Sequence, residues 1–168
     1  MSLLICGIDP GLNGAFAFLN IEELTLQIVA MPTFEKNSLR HTDPAEVAAV
    51  INHHRPTHAF LEAVYSSPQM GVRSAFSFGR SAGIIQGALH ASQASPEVCQ
   101  VVPSVWKPAM GAPADKKKTL ARASQLMPDC ASAWKRVKDD GRAEAALLAL
   151  YGAVKMGLKV GNLTLKDT

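Results

Sequence analysis

Cysteine is scarce in this chain and stands in no useful pattern. Cys6, Cys99 and Cys130 are odd in number and show no CxxC or Cys/His spacing, so neither a disulfide framework nor a thiolate zinc site is indicated, and a reducing cytoplasm is the expected compartment. No stretch approaches the ~18 uncharged apolar residues that a membrane span requires, so no membrane association is expected. The apolar opening residues reach Asp9 and Pro10 too soon for a secretory signal with a charged start. Internal repeats are absent. Charged residues make up only 18% against 48% hydrophobic, the balance of a folded domain that buries a real core. A chain of 168 residues suits a single domain over 1–168, with a poorly patterned tail after about 157.

Cations are missing from the first third. Residues 1–63 contain Lys36, Arg40 and Arg55 against Asp9, Glu22, Glu23, Glu35, Asp43, Glu46 and Glu62. The segment 104–138 reverses this, with Lys107, Lys116, Lys117, Lys118, Arg122, Lys135, Arg136 and Lys138 against Asp115 and Asp129. A basic segment facing an acidic one suits a protein that holds a polyanion near bound cations. A solvated charged face is the other reading of the same distribution.

Short apolar runs at 3–8 and 14–19, separated by Asp9-Pro-Gly-Leu-Asn-Gly14, predict a β-hairpin, and alternation over 24–31 predicts a third strand. Residues 33–42 read as a polar loop. Asp43-Pro44 supplies an N-cap and a first-turn proline for a helix to about His54. A buried-type strand over 57–61 delivers Glu62 at its carboxyl end. Residues 70–92 are helical in tendency, although Gly79, Gly83 and Gly87 each cost about 1 kcal/mol inside a helix. Their four-residue spacing makes one helix face nearly flat, suited to close packing on the sheet or on a second subunit. A fifth strand at 97–102 ends at Pro103, and the Pro-, Gly- and Ala-rich stretch 104–115 reads as loop. An amphipathic basic helix at 116–127 and a last helix from Asp140 or Gly141 to Val154 complete an α/β chain: a five-stranded mixed sheet with helices on both faces.

Four acids fall where such a topology can gather them: Asp9 and Glu62 at two strand ends, Asp140 and Glu144 at the start of the last helix. If the two strands are parallel neighbours, Asp9 and Glu62 emerge side by side at their carboxyl ends, where open α/β sheets bind ligands. Asp140 and Glu144, four apart, stand about 40° from each other around a helix and can reach one ion. All-oxygen donors suit Mg²⁺ or Mn²⁺, and two such ions ~4 Å apart can activate water against a phosphodiester. Each acid also has a structural reading. Asp9 before Pro-Gly can initiate a turn, and Asp140 or Glu144 can serve a helix start. Glu62, half-buried behind an apolar run, needs a cation or donor partner in either case.

Several segments together resemble one family. Gly7-Ile-Asp9-Pro-Gly-Leu-Asn-Gly14-Ala, Leu61-Glu62 with Tyr65 three residues on, Phe78-Gly-Arg80-Ser-Ala-Gly83, Val102-Pro-Ser-Val-Trp-Lys107, Ala114-Asp-Lys116 and Arg142-Ala-Glu144-Ala follow the order and spacing of RuvC-type Holliday junction resolvases, over about residues 4–155. The resemblance implies an RNase H-like fold and a homodimer that cuts two strands of a four-way DNA junction symmetrically in recombination and repair. It implies two Mg²⁺ or Mn²⁺ ions per site on Asp9, Glu62, Asp140 and Glu144. Lys107 and Lys116 would sit beside the scissile phosphate, and Tyr65 would take the aromatic position at the junction centre. Arg73, Arg80, Lys117 and Lys118 would add to the DNA surface, while Trp106 reads as core.

One position departs from the pattern. Bacterial members end on two acids, or a His and an acid, three apart, whereas position 141 is Gly, so the partner of Glu144 is Asp140 or Asp139. That resembles the shorter phage-borne members, for which the compartment would be the host cytoplasm and the substrates could extend to forks and other branches. An RNase H-like nuclease for such branches, or for RNA–DNA hybrids, is therefore a competing reading. An actin-like phosphate-binding domain would need a second lobe that 168 residues do not supply. A DNA-binding module with a dead site is the third.

Overall fold

The computed structural model describes residues 2–63, 65–66 and 68–166. The chain opens with three strands, β1 (Leu4–Asp9), β2 (Ala15–Asn20) and β3 (Thr25–Ala30), joined as antiparallel neighbours. A separate two-stranded ribbon follows, β4 (Thr33–Lys36) and β5 (Leu39–Thr42), then helix α1 (Pro44–His54). Strand β6 (His58–Glu62), helix α2 (Val72–Ala91) and strand β7 (Glu97–Val101) come next. Helices α3 (Pro103–Met110), α4 (Lys116–Leu126) and α5 (Asp140–Lys155) close the domain, with two 3₁₀ segments, Pro128–Trp134 and Val137–Asp139, before α5 and a short strand β8 (Thr164–Leu165) after it.

The main sheet has the order β7-β6-β1-β2-β3-β8. β6 runs parallel to β1 and to β7, with Ile8 opposite Leu61, so Asp9 and Glu62 leave the sheet side by side. The parallel pairing on which the acid cluster depended is therefore present. Side chains alternate across the sheet as the pleat requires. Ile5, Ala17 and Leu19 join the core under α3, α4 and α5; Cys6, Ile8, Phe16 and Phe18 join the core under α1 and α2.

α5 is buried nearly all round and crosses β1 at backbone distance. A Cβ on Gly7 would stand 2.1 Å from the Ala145 carbonyl oxygen and 2.3 Å from the Ala149 nitrogen, closer than atoms can pack. The alanine-rich sequence of α5 is what permits this approach. It locks the helix start, with its acids, against the end of β1.

Three expectations need correction. The segment 33–42 is a hairpin, closed by Asn37 and Ser38 at φ 53° and 57°. Those values suit the two-residue turn with both central residues left-handed, which usually announces itself with Asn-Gly. The segment 104–115 is not all loop. Pro103 takes the first turn of α3, where its missing N–H costs nothing, and Gly111 (φ 63°) caps the helix through bonds to the Lys107 and Pro108 carbonyls. The main sheet has six strands rather than five, because β8, in the tail after 157, pairs parallel with β3. Elsewhere the expected elements are present; Asp43 caps α1 by accepting from the Ala45 and Glu46 amides.

Candidate active site

Asp9, Glu62, Asp140 and Glu144 line a single cleft of about 1000 Å³ at the carboxyl ends of β1 and β6. One wall is the start of α5 with Lys116 from α4. The other is made by α2, through Val72, Arg73, Phe76 and Arg80, and by the hairpin, through Leu39, Arg40 and His41.

Asp9 initiates the turn, as its sequence setting allowed, and also lines the cleft. Oδ1 accepts from the Gly11 amide at 3.0 Å, the turn-initiating bond, and Gly14 N–H closes the turn on the Gly11 carbonyl at 2.8 Å. Oδ2 lies toward α5, 2.9 Å from where a Cβ on Gly141 would be. That Cβ would also meet the Asn13 carbonyl oxygen at 2.3 Å and the Gly14 Cα at 2.7 Å. Position 141 therefore holds glycine because any side chain there would push α5 off the Asp9 turn. The residue three before Glu144 has no room to be a ligand, and Asp140, one residue back, reaches the cleft instead.

Burial raises the Asp9 carboxyl to about 7, against the pull of the Gly11 N–H, and the charges of Glu144, Glu62 and Asp140 add to the rise. Glu62 is likewise raised, by burial first and the Glu144 charge second, while Lys107 and the Trp106 N–H oppose the shift. The remaining acids are ion-paired. Lys107 Nζ meets Glu144 Oε1 at 2.6 Å and Lys116 Nζ meets Asp140 Oδ2 at 2.6 Å. The hydrogen bond to Asp140, followed by its charge, raises Lys116.

Asp139, the rival of Asp140, is engaged elsewhere. Arg136 grips it from two nitrogens, Nε to Oδ2 at 2.9 Å and Nη2 to Oδ1 at 2.8 Å, and the Arg136 amide adds a third bond at 3.1 Å. Those bonds hold its carboxyl below the usual range. It lines a small separate pocket with Lys138 and Arg142, behind the Asp9 turn.

The acids offer only oxygen donors, and they burden one another electrostatically, so the donor chemistry fits a hard divalent cation. Among the described residues no three acids already converge as a ready ligand set. The ammonium groups of Lys107 and Lys116 stand in part where cation charge is called for.

Of the other residues singled out in the sequence, Arg73 and Arg80 are exposed on the cleft wall, and Arg80 Nη1 contacts His41 Nδ1 at 3.3 Å. Tyr65 follows Glu62 and is 68% exposed. Lys117 and Lys118 are exposed but do not line the cleft; the Lys118 amide is capped by Asp115 at 2.9 Å. Sequence reading missed the hairpin wall. Arg40 ties it to the Asp9 turn, with Nη1 on Asn13 Oδ1 at 2.8 Å and Nη2 on the Leu12 carbonyl at 2.7 Å. Trp106 is core, as expected, but its indole also donates to Glu62 Oε1 at 3.2 Å, a bond the sequence reading did not include. A buried indole must find an acceptor, and a buried glutamate a donor, so the pairing had a signal in composition.

The mixed sheet with helices on its faces matches the RNase H-like fold of solved RuvC structures. Among solved structures, Thermus thermophilus RuvC in complex with Holliday junction substrate matches with a TM-score of 0.59 at 16% identity, over 92% of this chain and 97% of that one. A second Thermus thermophilus RuvC structure matches at 0.55 and 17% over 92% and 97%. The yeast mitochondrial Holliday junction resolvase Ydc2 matches at 0.56 and 17% over 89% and 77%. No family model matches the chain, and no curated protein matches it in sequence. At these identities the likeness establishes the fold.

Proposed function

We propose that the chain is a divalent-metal-dependent endonuclease that resolves four-way DNA junctions as a homodimer. The observation that carries the proposal is the gathering of Asp9, Glu62, Asp140 and Glu144 in one cleft, on a fold whose solved examples include a RuvC bound to a Holliday junction.

In this reading Asp9, Glu62, Asp140 and Glu144 hold two Mg²⁺ or Mn²⁺ ions, which when bound activate a water and stabilise the leaving oxygen. The chain's own residues do the rest. The Gly11 N–H orients Asp9, and Gly141 lets the start of α5 close on it. Lys107 and Lys116, here paired with Glu144 and Asp140, would meet the phosphate charge that develops at the scissile bond. Arg73 and Arg80 take backbone phosphates on the opposite wall, with Lys117 and Lys118 outside it. Tyr65 stacks on an unpaired base at the branch.

The dimer is supported by α2. A methyl group added at Gly79, Gly83 or Gly87 would meet nothing within 4 Å, so the flat face is turned away from the sheet and is open to a second copy. Among the described residues no helix is long and apolar enough to cross a membrane, and all three cysteines are free, which suits the cytoplasm proposed for this activity.

The test sets four-way junctions against forks, flaps and RNA–DNA duplex, each with Mg²⁺. Preferential cutting of the junction by a dimer is expected; preference for any of the other three would replace the resolvase reading by a different RNase H-like nuclease.

A further inference from the structure

Consecutive residues of α3 address two different acids. Lys107 reaches Glu144, and Trp106 donates its only polar group to Glu62 Oε1 at 3.2 Å. The two partners differ in kind. An ammonium neutralises its carboxylate and competes with any cation that approaches. An indole N–H is uncharged, takes one oxygen and leaves the carboxylate its charge. Trp106 is also fixed: it is 0% exposed and packed in the core beneath α5, whereas a lysine tip can swing. Among the described residues Glu62 Oε2 accepts no hydrogen bond.

We propose that Trp106 is a positioning residue for metal binding: its indole N–H holds the Glu62 carboxylate in one rotation through Oε1 and keeps Oε2 available to a divalent cation. The inference rests on the metal-dependent reading above and adds a residue that the acid pattern does not contain. Ligands oriented by a fixed donor bind metal more tightly because the orientation is set before the ion arrives, and loss of such a donor typically costs about 10–100-fold in affinity. A purely structural role makes a different prediction. There the tryptophan fills the core, Glu62 merely satisfies its N–H, and metal binding is indifferent to the bond.

The full chain has two tryptophans, Trp106 and Trp134, and Trp134 donates instead to Ser124 Oγ at 3.0 Å. An ¹⁵N-labelled sample therefore gives two indole signals with different acceptors. Titrating wild-type protein with Mg²⁺ should move the Trp106 signal, with the same midpoint as Mg²⁺ binding measured by calorimetry, and leave that of Trp134 in place. W106F keeps an aromatic ring and removes the donor; it should bind Mn²⁺ about 10–100-fold more weakly while binding junction DNA in EDTA as wild type does. W134F assigns the signals, so the wild-type titration decides the matter even if W106F does not fold. Metal binding that leaves the Trp106 signal unmoved, or wild-type Mn²⁺ affinity in folded W106F, overturns the proposal. Absence of any divalent-ion binding by wild type overturns the metal reading itself and this inference with it, a pattern distinct from the other two.

Discussion

On the β1, β6 and α5 side of the cleft each of the four acids accepts a hydrogen bond: Asp9 from the Gly11 amide, Glu62 from Trp106, Asp140 from Lys116 and Glu144 from Lys107. On the α2 and hairpin side, Arg73 and Arg80 stand exposed beside apolar residues that a core would normally claim, Phe76 at 73% and Val72 at 87% exposure. One wall is held in place from within. The other carries exposed cations and exposed apolar side chains, the combination that grips phosphate and unpaired bases. Under the proposed function the contrast places chemistry on one wall and substrate contact on the other, so substitutions on the two walls should fail in different ways.

The largest effect is expected at the buried wall. D9N and E62Q should each lower junction cleavage on the order of 10³-fold or more, while junction binding is kept or tightened as negative charge leaves the phosphate path. Gel-shift and single-turnover assays separate the two; lost binding with an intact fold would break the division between walls. Next come R73A and R80A, which should each weaken junction binding by about 10-fold, reduce the salt slope by about 1, and leave the rate of the bound complex near wild type. A changed rate at saturating protein would move these residues into the chemistry.

A smaller effect separates two neighbours. D139N should cost about 1 kcal/mol, or about 2–4 °C in Tm, through loss of charge-assisted bonds from Arg136, with Mn²⁺ affinity unchanged. D140N should do the reverse. Calorimetry on both variants would show whether the assignment has been made the wrong way round.

The smallest is a slope. With the Asp9 carboxyl raised to about 7, the folded chain keeps a proton that the unfolded chain releases near ~3.9, so between these values the native state binds more protons. Stability in EDTA should therefore gain a falling component as pH rises through that window. His54, held down to about 4 by burial and by His53, contributes with the opposite sign, because its stabilising neutral form is lost as pH falls. The difference between wild type and D9N in denaturant unfolding isolates the Asp9 part. A D9N profile parallel to wild type would mean that burial and the neighbouring charges do not raise the Asp9 carboxyl.

Much of this was legible in the sequence because period and punctuation agreed. The Asp43-Pro44 start, the β1 and β6 runs and the Asp140/Glu144 spacing each carry a local signal, and local signals sufficed to bring four acids to one cleft. What escaped was tertiary. Asn37-Ser38 adopts a hairpin turn without the glycine that usually marks it, so the wall bearing Leu39, Arg40 and His41 read as loop. The Pro-, Gly- and Ala-rich stretch 104–115 read as loop, whereas α3 begins at Pro103 and is capped by Gly111. The different surroundings of Asp139 and Asp140 come from Arg136 and from the space beside Gly141, neither of which sequence spacing reveals.

The central claim is met most directly by cutting a mobile four-way junction with Mg²⁺ and mapping product ends on all four strands. Paired nicks at symmetric positions on two opposing strands, lost in D9N, are the predicted result. Cuts confined to one strand, or scattered without symmetry, would contradict the account.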